Sequence, residues 1–143
     1  MKRSNKPKKI KKIKHISLKA LHKKAWALKS EYIRRSEKGI CFTCGVHKPW
    51  KEQQAGHYIH GDCMDFVELN IHCQCVRCNK WLSGNEGKYA ERLILEYGLD
   101  AVLGLREIER ERKAKTYKYT IFELENEILK YKTLLQELSA GKE

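Results

Sequence analysis

The sequence predicts an α+β protein in which helices flank a short, irregular centre. In residues 17–39 and 85–138, apolar side chains recur every three or four positions, which is the period of an amphipathic helix. Residues 40–79 lack this period and are rich in cysteine, histidine and glycine, which predicts a small hairpin between two tight turns. An apolar content of 41% in 143 residues suits one domain with a modest core.

Positive charge is concentrated at the N-terminus. Residues 1–35 hold 14 Lys/Arg and one acid, a net of +13, whereas residues 36–143 hold 16 Lys/Arg and 17 acids, a net of −1. We therefore predict that residues 1–16 form a disordered basic arm, which favours DNA as a partner over a role in solubility. No apolar run approaches the ~20 residues of a membrane span, and no signal peptide is recognisable. The expected localisation is cytoplasmic, with no membrane partner.

Boundary residues mark the helices on either side of the centre. Ser17 is a suitable N-cap for the first helix and Gly39 a suitable stop. Asn85 should cap a second helix that ends before Gly98, and Asp100 should cap a third. The apolar stripe of the first helix should pack on the core through Leu18, Leu21, Ala25, Leu28 and Tyr32.

A last helix should follow the capping box formed by Thr120 and Glu123. Its apolar side chains alternate at steps of three and four, as in a heptad seam: Ile121, Leu124, Ile128, Tyr131, Leu135 and Leu138. This seam covers under three heptads, so two arrangements stay open, an antiparallel pair within the chain and a homodimeric coiled coil. We place the boundary between the central domain, 17–112, and this C-terminal segment, 113–143. Trp26 and Trp81 are expected in the core.

Four cysteines form two CxxC pairs, Cys41 with Cys44 and Cys75 with Cys78. Each pair places two thiolates on a tight turn, and two such turns can close one tetrahedral zinc site. Without a secretory signal, this spacing favours structural Zn²⁺ in a reducing compartment over disulfides. The remaining cysteines, Cys63 and Cys73, are interpreted as ordinary thiols.

A set of distinctive stretches surrounds these cysteines: CFTCG, AGHY, NIHCQCVRCN and WLSGN, with KAWALKSEYIRR before them and KYAERLILEYG after them. Over roughly residues 24–105, these motifs resemble the phage NinG (Rap) family of recombination nucleases. The frame CxxC…CxxCN is also similar to phage endonuclease VII, a resolvase with a zinc-stapled HNH core. The resemblance implies a ββα (HNH or His-Me finger) core and a divalent-metal-dependent DNA endonuclease that acts on branched intermediates such as Holliday junctions or D-loops.

The HNH resemblance also implies roles for individual residues. His57 takes the place of the general base that deprotonates water, and Asn70 that of the residue orienting the histidine. Asn79, held beside Cys78, takes the place of a ligand for a catalytic Mg²⁺ or Mn²⁺. General HNH sites carry an aspartate before the histidine, where this chain has Gly56. The place of this second ligand must then be taken by another residue or by water, and the candidates nearest along the chain are His60 and Asp62, followed by Asp65 and Glu68.

Basic side chains supply the expected contacts to DNA. They lie in the arm, on the first helix and beside the second CxxC pair: Lys8, Lys9, Lys11, Lys12, Lys14, Lys23, Lys24, Arg34, Arg35, Arg77 and Lys80. Two other functions stay open at this point. The absence of an acid at Gly56 allows a zinc-containing DNA-binding protein without catalysis, and an HNH nuclease for ordinary duplex or single strands is the second.

Overall fold

A computed structural model describes residues 16–141. The predicted arm, with Lys8, Lys9, Lys11, Lys12 and Lys14, lies outside the described residues except for Ile16. The chain is α+β and mostly helical, with one two-stranded sheet. Its regular elements are α1 (Leu18–Ser36), β1 (Gln54–His57), β2 (Ile71–Gln74), α2 (Glu86–Tyr97), α3 (Leu99–Ala114) and α4 (Ile121–Ser139).

Local sequence signals set the ends of the outer helices as predicted. The Ser17 hydroxyl accepts a hydrogen bond from the backbone N–H of Ala20 at 3.2 Å and so caps α1. Gly39 follows the end of α1 with a φ of +68°, a left-handed conformation that glycine adopts at little steric cost. Thr120 and Glu123 form the reciprocal capping box at the start of α4.

The strands β1 and β2 form an antiparallel hairpin whose register pairs Ala55 with Cys73 and His57 with Ile71. The main core lies where α2 and α3 pack against this hairpin and its loop. Tyr89 and Leu93 of α2 have no exposed surface and meet Met64, which is also fully buried. His57 is therefore the last residue of a strand that the core holds in place.

A second apolar cluster joins α1 to α4 through buried side chains that include Leu21, Ala25, Leu124 and Ile128. The two helices run in the same direction, since contacts advance together along both: His22 with Tyr119, Tyr32 with Tyr131, and Arg35 with Ser139. The seam of α4 thus packs within the chain, in a parallel pair instead of the antiparallel one expected. A homodimer through α4 stays a prediction.

Three details differ from the sequence predictions. Asn85 precedes α2 but is left-handed, with a φ of +50°, and its side chain makes no cap. Gly98, not Asp100, is the N-cap residue of α3, so Asp100 lies in the first turn. Trp81 is not in the core, because 79% of its surface is exposed. No helix in residues 16–141 has the length and apolar character needed to cross a membrane.

Lys29 of α1 is a buried base, with only 3% of its surface exposed. Its Nζ donates a hydrogen bond to the backbone carbonyl of Asp65 at 2.8 Å. Burial lowers the pKa of Lys29 to about 8, against partial compensation by Glu68 and Glu127. A lysine in the unfolded chain keeps its proton to a pH of about 10.4.

Between these two pKa values the unfolded chain binds more protons, so the Lys29 contribution to the free energy of unfolding should rise with pH. We expect wild type to gain on the order of 1 kcal/mol per pH unit relative to Lys29→Met between about pH 8 and pH 10. Urea unfolding of both zinc-loaded proteins across this range measures the difference. Parallel pH dependences would show that Lys29 keeps its proton when buried.

Candidate active site

The four paired cysteines converge, as their spacing predicted. Their Sγ atoms all lie within 4.8 Å of one another, and no other group of three or more such ligands converges in the described residues. A zinc–sulfur bond of about 2.3 Å implies a tetrahedron edge of about 3.8 Å. The Sγ atoms of Cys44 and Cys75 are 3.7 Å apart, so the cluster has the size of a zinc site.

Hydrogen bonding prepares this cluster for a cation. Although burial opposes ionisation, bonds from Thr43 and from backbone N–H groups lower the pKa of Cys41 to about 6. Burial raises the pKa of Cys44 to about 12 and that of Cys75 as well. Four thiols this close cannot all ionise unless a cation neutralises them. A structural metal such as zinc suits the site, and Cys63 and Cys73 lie outside it.

His57, at the end of β1, belongs to a chain of three polar side chains. Its Nε2 lies 2.6 Å from Oδ1 of Asp65, and Nε2 of His22 on α1 lies 2.6 Å from Oδ2. An ionised carboxylate only accepts hydrogen bonds, so both imidazoles donate to it from Nε2, and a neutral ring then carries its lone pair on Nδ1. Trp26 stacks on the His57 ring, with centroids 4.9 Å apart, and fixes the plane of the ring.

The side chains of His57, Asp65 and His22 line a cleft of about 720 Å³ between α1 and residues 117–119. Lys19, Lys23, Lys118 and Asp62 also line the cleft. Three lysines against two carboxylates, Asp62 and Asp65, give this lining a net positive charge, which suits a phosphate group. The geometry thus places an imidazole and three cations in one cleft.

Asn70 does not meet His57. It is fully buried, and its Oδ1 accepts from the backbone N–H of Ile59 while its Nδ2 donates to the carbonyls of Ile59 and Met64. The predicted orienting contact between Asn70 and His57 is therefore wrong. Asn70 instead closes the loop that follows β1, and Asp65 is the residue that orients the histidine.

The predicted ligands of a catalytic metal do not converge: His60 is near His57 and Asp62 lines the same cleft, whereas Asn79 is at the other end of β1. His60 and Asp62 are both exposed, and the rings of His57 and His60 are 5.8 Å apart. Asn79 donates from Nδ2 to Oε1 of Gln54 at 2.7 Å, at the opposite end of β1 from His57. Both oxygens of Asp65 are occupied by the two histidines.

The glycine at position 56 has a steric reason. A Cβ atom built on Gly56 would lie 1.8 Å from Oε1 of Gln74, a residue with no exposed surface. Gln74 is fixed there by hydrogen bonds from its Nε2 to the Thr43 hydroxyl and to the Gly84 carbonyl. The space that an aspartate before His57 would need is therefore filled by the side chain of Gln74.

The predicted DNA contacts divide into free and engaged groups. Lys23, Lys24, Arg77 and Lys80 are exposed. By contrast, Arg34 donates to the Ser30 carbonyl, and Arg35 pairs with Glu31 and bonds Ser139. Both guanidinium groups also stack on the Trp50 ring. The arginines thus hold α1 to its surroundings, whereas the exposed lysines and Arg77 are available to a ligand.

Sequence reasoning missed the link from His22 to His57 through Asp65. No sequence pattern singles out His22, and Asp65 is expected only as a candidate metal ligand. The contact between His22 and Asp65 spans 43 positions, and no local spacing rule relates residues so far apart. The one signal in the sequence was Asp65, an acid eight residues after His57. The loop after β1 has to return towards β2, which can bring such an acid back to the histidine.

Comparisons with known proteins agree with the motifs. A family model described as "Bacteriophage Lambda NinG protein" matches residues 1–142, so the match extends beyond the stretch 24–105 to both ends of the chain. Protein ninG of Escherichia phage 933W is 32% identical over 120 residues, which cover 81% of this chain and 57% of the relative. Protein ninG of Escherichia phage lambda is 32% identical over 120 residues, covering 81% and 56%.

Protein ninG of Salmonella phage P22 is 36% identical over 95 residues, covering 64% of this chain and 45% of that protein. The chain thus spans about half the length of the curated relatives it matches. No solved structure matches the chain. On the family match over almost its whole length, the chain belongs to the NinG family.

Proposed function

We propose that this protein is a DNA endonuclease, a phosphodiester hydrolase of the HNH type, in which His57 is the general base. The observation that carries the proposal is the hydrogen bond between His57 and Asp65 at a lysine-lined cleft. The adjoining hairpin is closed by a cysteine cluster of zinc-site dimensions. A histidine oriented by a carboxylate is the arrangement that proton abstraction needs.

The chemistry follows from the tautomer that Asp65 imposes. With Nε2–H donated to the carboxylate, Nδ1 of His57 can take a proton from a water molecule as the water oxygen attacks phosphorus. The P–O bond to the leaving 3′ oxygen breaks in the same displacement. Asp65 stabilises the imidazolium that forms, and Trp26 keeps the ring from turning away.

Two metals fit the residues differently. The thiolates of Cys41, Cys44, Cys75 and Cys78 would hold a structural Zn²⁺. For Mg²⁺ or Mn²⁺, which would neutralise charge on the phosphate and the leaving oxygen, Asp62 offers a carboxylate in the cleft that His57 also lines. His60, near His57, is a further candidate, and Asn79 is a more distant one. Mg²⁺ in enzymes is commonly held by one or two carboxylates together with substrate phosphates, so one acid in the cleft meets the need.

The DNA substrate would lie along the exposed cations at the cleft and beside the cysteine cluster. Lys23 lines the cleft, and Arg77 and Lys80 are exposed after β2. The resemblance to recombination nucleases implies branched DNA, such as a Holliday junction or a D-loop, as the preferred form. A homodimer through the outer face of α4, where 66% of Leu129 is exposed, would present two sites to such a substrate.

Cleavage of a labelled four-way junction by zinc-loaded protein with Mg²⁺, compared with its linear duplex arms, tests this function. We expect nicking of the junction and much slower nicking of the arms. Equal rates on both would favour a nuclease for ordinary duplex. Tight binding of both DNAs without cleavage in Mg²⁺ or Mn²⁺ would indicate a zinc-containing DNA-binding protein and not an enzyme.

The basic arm should contribute affinity and not chemistry. Deleting residues 1–14 removes eight Lys/Arg, whereas every candidate for the chemistry lies after residue 56. If about half of those cations meet phosphates, the slope of log K against log salt should become shallower by roughly 3 to 4 on duplex DNA. Fluorescence anisotropy across a salt series measures this slope. An unchanged slope would show that the arm does not meet the DNA backbone.

A further inference from the structure

Trp81 is the one tryptophan in the described residues that nothing covers. It is 79% exposed, and the next residue, Leu82, is 43% exposed. Trp26 stacks on His57, and Trp50 lies against the guanidinium groups of Arg34 and Arg35. Burying a large aromatic side chain is favourable, so a tryptophan that is exposed to solvent indicates a surface that binds another molecule.

The backbone at Trp81 belongs to a hydrogen-bonded turn. Trp81 ends a π-helical turn, Arg77–Trp81, that contains the fully buried Cys78 of the cysteine cluster. The Gly84 N–H lies within hydrogen-bonding distance of both the Cys78 and Asn79 carbonyls, at 2.9 and 3.0 Å. The turn that bears the tryptophan is therefore anchored to the cysteine cluster, which limits the backbone entropy lost when a ligand binds.

Backbone strain follows directly after Trp81. Ser83, Gly84 and Asn85 have positive φ values of 49°, 90° and 50° in succession. A non-glycine residue in this region is strained and persists where surrounding structure enforces it, frequently at binding sites. Asn85 donates from Nδ2 to Sγ of Cys78 at 3.6 Å, which ties the strained turn to the cysteine cluster.

The turn also reaches the catalytic candidates. A Cβ atom placed on Gly84 would lie 3.3 Å from Nε2 of His60 and 3.6 Å from the carbonyl oxygen of His57. The cations beside the tryptophan in sequence, Arg77 and Lys80, are both exposed, and residues 76–85 contain no acid. An aromatic face flanked by cations, next to the proposed base, fits an anionic ligand that carries π-systems.

We propose that Trp81 is a stacking platform for an unpaired base of the DNA substrate, with Arg77 and Lys80 on the neighbouring phosphates. This inference rests on the proposed DNA substrate. Stacking on a protruding aromatic side chain needs a base face that is not already covered by its neighbours, as at the branch point of a junction or fork. In a continuous duplex both faces of each base are covered, so Trp81 contributes to discrimination between branched and linear DNA.

The test compares Trp81→Ala with Tyr97→Ala, since Tyr97 is an exposed aromatic side chain on α2, at 45%. Zinc-loaded proteins are titrated, without Mg²⁺, with a forked DNA and with a fully paired duplex of equal phosphate number. Trp81→Ala should weaken fork binding by about 5- to 150-fold, the range for one base–aromatic stack, and duplex binding by less than about twofold. Trp81→Phe should restore most of the difference, and Tyr97→Ala should match wild type.

A spectroscopic measurement accompanies the titration. The fork should quench the tryptophan fluorescence of wild type more than that of Trp81→Phe, whereas the duplex should quench both equally. Equal affinity of Trp81→Ala and wild type for the fork overturns the proposal. It is also overturned if Trp81→Ala dissociates a dimer in sedimentation while DNA affinity stays the same, because Trp81 then meets a second copy. The binding test involves no chemistry, so it separates this inference from the proposed nuclease function. If fork binding depends on Trp81 but no DNA is cleaved in Mg²⁺, the nuclease function is rejected and the stacking role of Trp81 is retained.

Discussion

Removing zinc is expected to unfold residues 40–80 while the parallel pair of α1 and α4 keeps much of its helix. The cysteine cluster joins the turn at residues 41–44 to the end of β2, and the buried apolar cluster at this join consists of Cys41, Cys75 and Cys78 alone. Zinc binding to such thiolate sites is worth roughly 10–16 kcal/mol, which is comparable to the whole stability of a typical domain at about 5–15 kcal/mol. Loss of the ion should therefore remove the fold of the hairpin.

Hydrogen exchange with and without a zinc chelator measures this effect, and elemental analysis gives the stoichiometry, expected to be one zinc per chain. Cys75→Ser combined with Cys78→Ser should lose the metal and the protection of residues 40–80. Cys63→Ser is the matched control, because Cys63 is a half-buried thiol outside the cluster. Full zinc content in the double variant would show that other ligands hold the ion.

Replacing His57 by alanine is expected to slow cleavage by about 10²–10⁴, the usual effect of losing a general base. Zinc content should stay the same, since His57 is not part of the cysteine cluster. Asp65→Asn should act in the same direction, because an amide can donate to the ring and favour the wrong tautomer. Single-turnover cleavage rates, measured across a titration with Mg²⁺ or Mn²⁺, distinguish a residue that acts as the general base from a residue that binds the catalytic metal.

Asn79→Ala provides the contrast in that titration. If Asn79 binds the catalytic metal, a higher concentration of Mg²⁺ or Mn²⁺ should recover part of its activity, whereas His57→Ala should not respond. Lys88→Ala is a suitable control, because Lys88 is exposed on α2 and is not among the residues that line the cleft. Identical metal responses of Asn79→Ala and His57→Ala would remove Asn79 from the metal site.

Local patterns in the sequence were sufficient for the helix ends and the cysteine cluster. Caps act over three or four residues, as at Ser17 and Thr120, and a CxxC turn fixes its own geometry. The same locality explains the errors at Asn85 and Asp100, where tertiary contacts displaced the expected caps. Asn85 is drawn to the sulfur of Cys78, and Gly98 takes the cap position before Asp100.

Features that depend on distant parts of the chain could not be predicted in this way. The parallel direction of α1 and α4 depends on the path that residues 37–120 take between the two helices. Asn70 was expected beside His57, but its buried amide satisfies three backbone groups, so Asn70→Ala should reduce stability more than turnover. The bonds from Asp65 to His22 and His57 join three separate segments, and Trp81 is exposed because its strained turn points away from the core.

The central claim is that His57 performs hydrolysis of DNA. Single-turnover cleavage of an end-labelled four-way junction, by wild type and His57→Ala at matched zinc content and saturating protein with Mg²⁺, tests it most directly. We predict cleavage by wild type, a rate at least about 10² lower for the variant, and equal DNA affinity for both. Equal cleavage rates for the two proteins would contradict the assignment of His57, and an uncleaved junction in both would contradict the catalytic function.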